Sequence, residues 1–239
     1  MREILSTLDP DLRRASDLAD GPNAPGERWT LAALRGRLVE LVGGARSANL
    51  SMACRLVGEA QTAGDFAAWV ATHRDVFFPP DFAAAGVDLG GLPVVWALPP
   101  GDGRSAPQPG AFRPGAARPG GAGGQPVIAA EASRAAERLL RSGAFGLIVV
   151  DLARDLTLTP AAQGRLLRLA EHHAALVLIL RRKRRDGFYS GSLVTVRAES
   201  SCEQIGPGRF RAVITNTKDK REGPGWKTSE EFDGPPGLY

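Results

Sequence analysis

The stretch of this 239-residue chain with the most bearing on chemistry is Gly43-Gly44-Ala45-Arg46-Ser47-Ala48-Asn49-Leu50. It lies between an apolar run and a stretch of helical periodicity. A strand, a glycine turn and a helix in that order present backbone N–H groups and the positive end of a helix to an anion. The complete phosphate-binding pattern is G-x-x-x-x-G-K-[ST]. Here Gly43 is in place and Gly44 follows it, but the second glycine has become Ala48, the lysine Asn49 and the hydroxyl residue Leu50. Lysine supplies the charge on the outer phosphates, and Ser or Thr holds the magnesium ion. Asparagine carries no charge, leucine cannot ligate a metal, and the methyl of Ala48 intrudes where backbone must approach phosphate. The pattern therefore predicts a degenerate phosphate loop with no bound cofactor. A glycine pair before a helix is also a common structural turn, and the bare pattern leaves that reading open.

Other residues offer less. Asp151 closes the run Leu147-Ile148-Val149-Val150, where it is either a vestigial acidic position or an ordinary loop-start residue. Arg181, Arg182, Lys183, Arg184 and Arg185 are followed closely by Phe188 and Tyr189. Cations beside aromatics can hold a nucleic-acid backbone and stack on a base. They equally make a solvated turn or a patch for an acidic protein. His172 and His173 end a helical stretch, where a cation suits the dipole, and no acid or nucleophile is arranged around them. Cys54 and Cys202 fit no metal spacing and no disulfide framework. No catalytic or metal-ligating set emerges.

The elements that would position these residues follow from periodicity. Residues 38–42 read as a strand, and from about 47 to 62 Leu50, Ala53, Cys54 and Val57 share one helical face. A second strand is expected at 66–71, a helix-sized segment at 78–89 and a third strand at 92–98. Ala132, Ala135, Ala136, Leu139 and Leu140 form an amphipathic stripe ended by Gly143. Residues 147–150 and 175–180 are apolar on both faces, as strands covered by helices on each side must be. Between them Thr159-Pro160 supplies a cap and a first-turn proline for a helix reaching His173. Residues 193–198 and 209–216 alternate around Gly206-Pro207-Gly208, as an antiparallel hairpin would. The expected fold is α/β, a mostly parallel sheet flanked by helices with a closing antiparallel hairpin.

Composition divides the chain further. Residues 99–126 are almost entirely Gly, Pro, Ala and polar residues, too poor in apolar surface to offset ordering, and are expected to be a disordered insertion. Residues 1–35 form an N-terminal segment, and residues from about 222 are expected to be a loosely attached tail. Trp226, Phe232 and Tyr239 in that tail either dock a partner or pack back on the core. The net charge of +4 permits nucleic acid or an acidic partner and demands neither. No stretch reaches the length of a membrane span, so a cytoplasmic protein without membrane contact is expected.

The order of these blocks carries a resemblance. RGRLVELVGGARSANLSMA looks like the strand, loop and helix that open the RecA core. WVATHRDVFFPPDFAAAGVDLGGLPVV resembles its next segment, RAAERLLRSGAFGLIVVDL its second acidic motif, and NTKDKREGPGWKTSEEFDGPPGLY its close. The resemblance covers roughly residues 30–98 and 130–239. It implies that Asp151 is the surviving acidic position and that the catalytic glutamate would fall near Thr72 and His73, where no carboxylate occurs. It also places the residue that senses nucleotide near Arg181. Among RecA relatives, shortened and degenerate forms with this block order resemble the ImuA family, carried chiefly by AAAGVDL and LLRSGAFGLIVVDL. That resemblance implies a noncatalytic accessory of damage-induced mutagenesis and translesion synthesis, with RecA and an ImuB-type polymerase homologue as partners and DNA as a further one. An ATP-dependent DNA-binding RecA-like protein and a SulA-type cell-division inhibitor are the alternatives.

Overall fold

Alternating apolar runs and amphipathic stretches build a helix-flanked sheet. A computed structural model describes residues 28–44, 46–73, 77–97, 125–152, 156–182 and 191–234. In chain order these form α1 (Leu31–Leu34), β1 (Arg37–Gly43), α2 (Asn49–Thr62), β2 (Phe66–Ala71), α3 (Pro79–Ala84) and β3 (Val94–Trp96). Then come α4 (Gln125–Arg141), β4 (Phe145–Asp151), α5 (Pro160–His173), β5 (Leu176–Arg182), β6 (Val196–Gly206), β7 (Arg209–Asp219) and β8 (Lys227–Asp233). The insertion expected at 99–126 lies almost wholly outside the described residues.

The strands make one eight-stranded sheet in the order β3-β2-β4-β5-β1-β6-β7-β8. It is parallel from β3 to β6. The antiparallel pairs β6–β7 and β7–β8 close one edge. The fold class read from sequence is therefore the observed one, a mixed and mostly parallel sheet between helices. Each face has its own core. On the side of α1, α2 and α3, Trp29, Leu56, Trp69, Phe82, Val149 and Leu178 are buried together. On the side of α4 and α5 the core is Leu140, Leu166, Ile148, Val150, Val177 and their neighbours. Each such side chain, fully buried, contributes about 1.5–3 kcal/mol. That is why the strands are apolar on both faces rather than alternating.

Local signals set several boundaries. The Thr159 hydroxyl accepts from the Ala162 N–H at 3.2 Å, and Pro160 opens α5. The helix ends at Ala174, the one non-glycine residue with positive φ among those described, at 49°. Residues 28–35 belong to the sheet's first core rather than standing apart, since Trp29, Leu31 and Leu34 are all buried in it.

Two segments differ from expectation. The hairpin strands run well past the segments 193–198 and 209–216, because β6 pairs with β7 from Val196 to Gly206 while its first five residues also pair in parallel with β1. The segment from 222, expected to be a loose tail, forms β8 and pairs with β7 along its length. Trp226 is buried in the first core, and Phe232 stacks on Phe210 with centroids 6.1 Å apart. An edge strand needs only ladder hydrogen bonds and a few anchors, so its polar composition concealed it. Tyr239 lies outside the described residues. Among the described residues no helix is long and apolar enough to cross a membrane.

Candidate functional site at the carboxyl ends of the parallel strands

β1, β4 and β5 end side by side, and their carboxyl ends bring the loop after β1 near Asp151 and Arg181. Open α/β sheets receive ligands at this edge, so its geometry decides what the degenerate loop can do. The loop is folded onto itself. A Cβ placed on Gly43 would fall 2.1 Å from Ser47 Cβ, 2.6 Å from Ser47 Oγ and 2.8 Å from Asn49 Oδ1. Gly43 is thus required, but for contact with the protein's own side chains. Gly44 is exposed, and a Cβ there would meet nothing within 4 Å.

Asn49, in the place of the lysine, is buried and is the knot of this loop. Its Nδ2 donates to the carbonyls of Leu41 at 3.3 Å and Arg181 at 2.9 Å. Its Oδ1 accepts from the Ser200 hydroxyl at 2.6 Å. Ser200 Oγ in turn accepts from the Ala48 N–H at 3.2 Å. One carboxamide therefore ties together β1, β5 and β6. The start of α2 has no side-chain cap of its own, and Ser200 serves an N–H there that an anion would otherwise receive. The Arg46 carbonyl accepts from the Cys202 N–H at 2.9 Å, which fastens the loop to β6 from outside. Ala48 is buried, and Leu50 packs against the first core. Ala48, Asn49 and Leu50, at the positions where the phosphate pattern has its second glycine, its lysine and its hydroxyl residue, all make contacts within the protein.

Asp151 stands two strands from β1, since it pairs with Leu180 and Leu180 with Leu41; that separation is about 10 Å. By alternation with Val149 it belongs to the α2 side. Its Oδ1 lies 3.4 Å from His73 Nε2. Its Oδ2 is buried without a hydrogen-bond partner among the described residues. Thr72 at the position expected for the catalytic glutamate is buried, and its hydroxyl and N–H both donate to the Asp151 carbonyl, at 2.9 and 3.1 Å. The strand ends are thus held together by backbone contacts, with His73 as the carboxylate's neighbour. Asp75, also near this position, lies outside the described residues.

The basic run is divided by the structure. Arg181 is buried, and its Nη1 donates to Glu40 Oε1 at 3.1 Å. Arg197 of β6 donates from Nε to Glu40 Oε2 at 2.7 Å. Glu40 is fully buried at the middle of β1, so Arg181 is a partner in an internal ion cluster rather than a surface contact. Removing Glu40 would take the shared carboxylate from between the two guanidinium groups, a loss of about 3–5 kcal/mol. Arg182 is exposed. Lys183, Arg184, Arg185, Phe188 and Tyr189 lie outside the described residues.

Glu40 and Ser200 were missed by sequence reasoning. A single carboxylate inside the run LVELV is itself a signal, because an unpaired charge is not buried. Ser200 carried none, being 151 residues from the asparagine it serves. Among the described residues no group of three or more His, Cys, Asp or Glu could hold a metal ion. Cys54 and Cys202 are free thiols. No protein-family model matches the chain, and no curated protein matches it either.

Proposed function

We propose that this RecA-like chain is a noncatalytic accessory protein of damage-induced mutagenesis and translesion DNA synthesis, acting by binding RecA and an ImuB-type polymerase homologue. The observation that carries the reading is Asn49, whose side chain spends its hydrogen bonds on Leu41, Arg181 and Ser200. With that side chain turned inward, the loop lacks the lysine charge that grips the outer phosphates. The block order that resembles the ImuA family supplies the pathway. A RecA-like surface without turnover docks onto RecA, bridging or capping a filament, while a second surface holds the polymerase homologue. Affinity in such an assembly comes from packed apolar and arginine anchors rather than from a reacting centre.

Pull-downs and two-hybrid tests with RecA and the ImuB-type protein check this directly. Binding to at least one partner is expected, and failure with both overturns the proposal. Calorimetry with ATP and magnesium is expected to give no saturable heat. Saturable, magnesium-dependent binding would instead favour an ATP-dependent DNA-binding protein.

A further inference from the structure

On the α4 and α5 side of the sheet, some cations have carboxylate partners and others have none among the described residues. Arg165 and Arg168 lie one turn apart on α5. Glu137 holds Arg165 at 2.8 Å, whereas Arg168 is exposed and makes no ion pair with any described residue. Together with Gly164 and Leu193 they line an open cleft of about 420 Å³. The carbonyl of Ser192, the chain neighbour of Leu193, accepts from Lys218 Nζ at 3.1 Å. Lys218 stands opposite Arg197 across the β6–β7 ladder, and exposed Lys220 follows two residues later. Partial burial holds the Lys218 ammonium below the usual lysine range, and the positive charges of Lys220 and Arg197 push the same way against Glu40. The Glu40 carboxylate is itself enclosed between Arg181 and Arg197. Neither Lys218 nor Lys220 has an ion-pair partner among the described residues.

We infer that the basic rim beside this cleft, formed by Arg168 on α5 with Lys218 and Lys220 at the end of β7, binds the phosphate backbone of a nucleic acid. An anion seated there relieves the repulsion that Lys218 meets from Lys220 and Arg197. A protein partner fits less well, because docking energy concentrates in aromatic and arginine anchors seated in well-packed pockets. This cleft is open, and its larger apolar groups are Leu167 and Leu193. Backbone binding needs only positioned positive charge, and its mark is salt dependence. The inference goes beyond the partner binding proposed above and does not rest on it.

Fluorescence anisotropy of the full chain with labelled oligothymidylate and a labelled duplex, over a range of salt, tests it. The variant R168E/K218E/K220E is expected to weaken binding by at least about tenfold and to make the plot of log affinity against log salt shallower by about 2. R138E/R141E/K227E changes the charge equally at exposed positions outside the cleft, and is expected to keep most of the affinity. Absence of oligonucleotide binding, an unchanged slope in the first variant, or an equal loss in the second overturns the inference. Binding of polyglutamate in preference to either oligonucleotide also overturns it, and assigns the rim to an acidic protein. Circular dichroism monitors folding; should the triple variant unfold, Arg168→Glu alone, at an exposed helix position, carries the same comparison.

Discussion

Asn49, at the position where the phosphate-binding pattern has lysine, works as a structural joint. Lysine reaches outward to an anion, whereas the shorter carboxamide reaches inward to two carbonyls and a hydroxyl. Asn49→Ala is expected to destabilise the fold by roughly 2–4 kcal/mol, because it leaves buried groups unsatisfied at three strand ends. Urea denaturation measures this, and a loss below about 0.5 kcal/mol, the scale of an ordinary surface change, would remove the joint's importance. Cys54 makes a second residue-scale prediction. Burial, with a smaller contribution from the Asp81 carboxylate, pushes its thiol up to about 11 from an ordinary 9.0. The unfolded chain gives up that proton near the lower value while the folded chain keeps it. The thiol's contribution is therefore complete below the lower pH and is lost as pH rises towards the higher. Replacing Cys54 with Ala is expected to flatten that part of the urea-midpoint profile, and an identical profile in the variant would contradict the assignment.

At the scale of elements, the helices are defined by their ends as much as by their faces. α5 begins on a threonine cap and a proline and ends on Ala174 in the left-handed region at φ 49°. A Cβ there is strained, and glycine is the usual residue at such a position. Ala174→Gly is expected to raise stability by about 1 kcal/mol, read as an increase in the urea midpoint; a decrease would show that the neighbouring contacts need the methyl. β6 is the element that joins the two halves of the sheet. It pairs in parallel with β1 and antiparallel with β7, and from that position it delivers Ser200 to Asn49 and Arg197 to Glu40. At its other end the sheet is closed by Asp219 of β7, which accepts from Arg37 at 3.0 Å and from the Trp226 indole at 3.4 Å.

For the whole molecule, the sheet order puts β4, β5 and β1 in the interior and leaves β3 and β8 as edges. Amide exchange is expected to be slowest in β1, β4 and β5 and clearly faster in β3 and β8, since local opening follows buried contacts. Mass spectrometry of peptides from each strand reads the pattern, and protection of β8 equal to that of β1 would refute it. The same arrangement explains what could be read without coordinates. Residues 66–71 and 160–173 were legible to the residue, because a helix-covered strand is apolar on both faces and a capped helix carries its own start signal. The departures of Ala48, Asn49 and Leu50 from a pattern of fixed spacing are facts of the sequence itself. β8 was not legible, because pairing with β7 rather than its own periodicity makes it a strand. Nor was the inward turn of Arg181, which reads as one more cation in a basic run until Glu40 is seen beneath it. Sequence by itself determined the element types and the failure of the phosphate pattern, both of which depend on neighbours within a few positions. Only the tertiary structure decided that Asn49, Ser200 and Arg181 form one joint, and that Lys218 reaches the carbonyl of Ser192, next in the chain to the Leu193 that lines a cleft with Arg168. Those contacts join segments far apart along the chain, and hydrogen bonds and charges act through space rather than through sequence spacing.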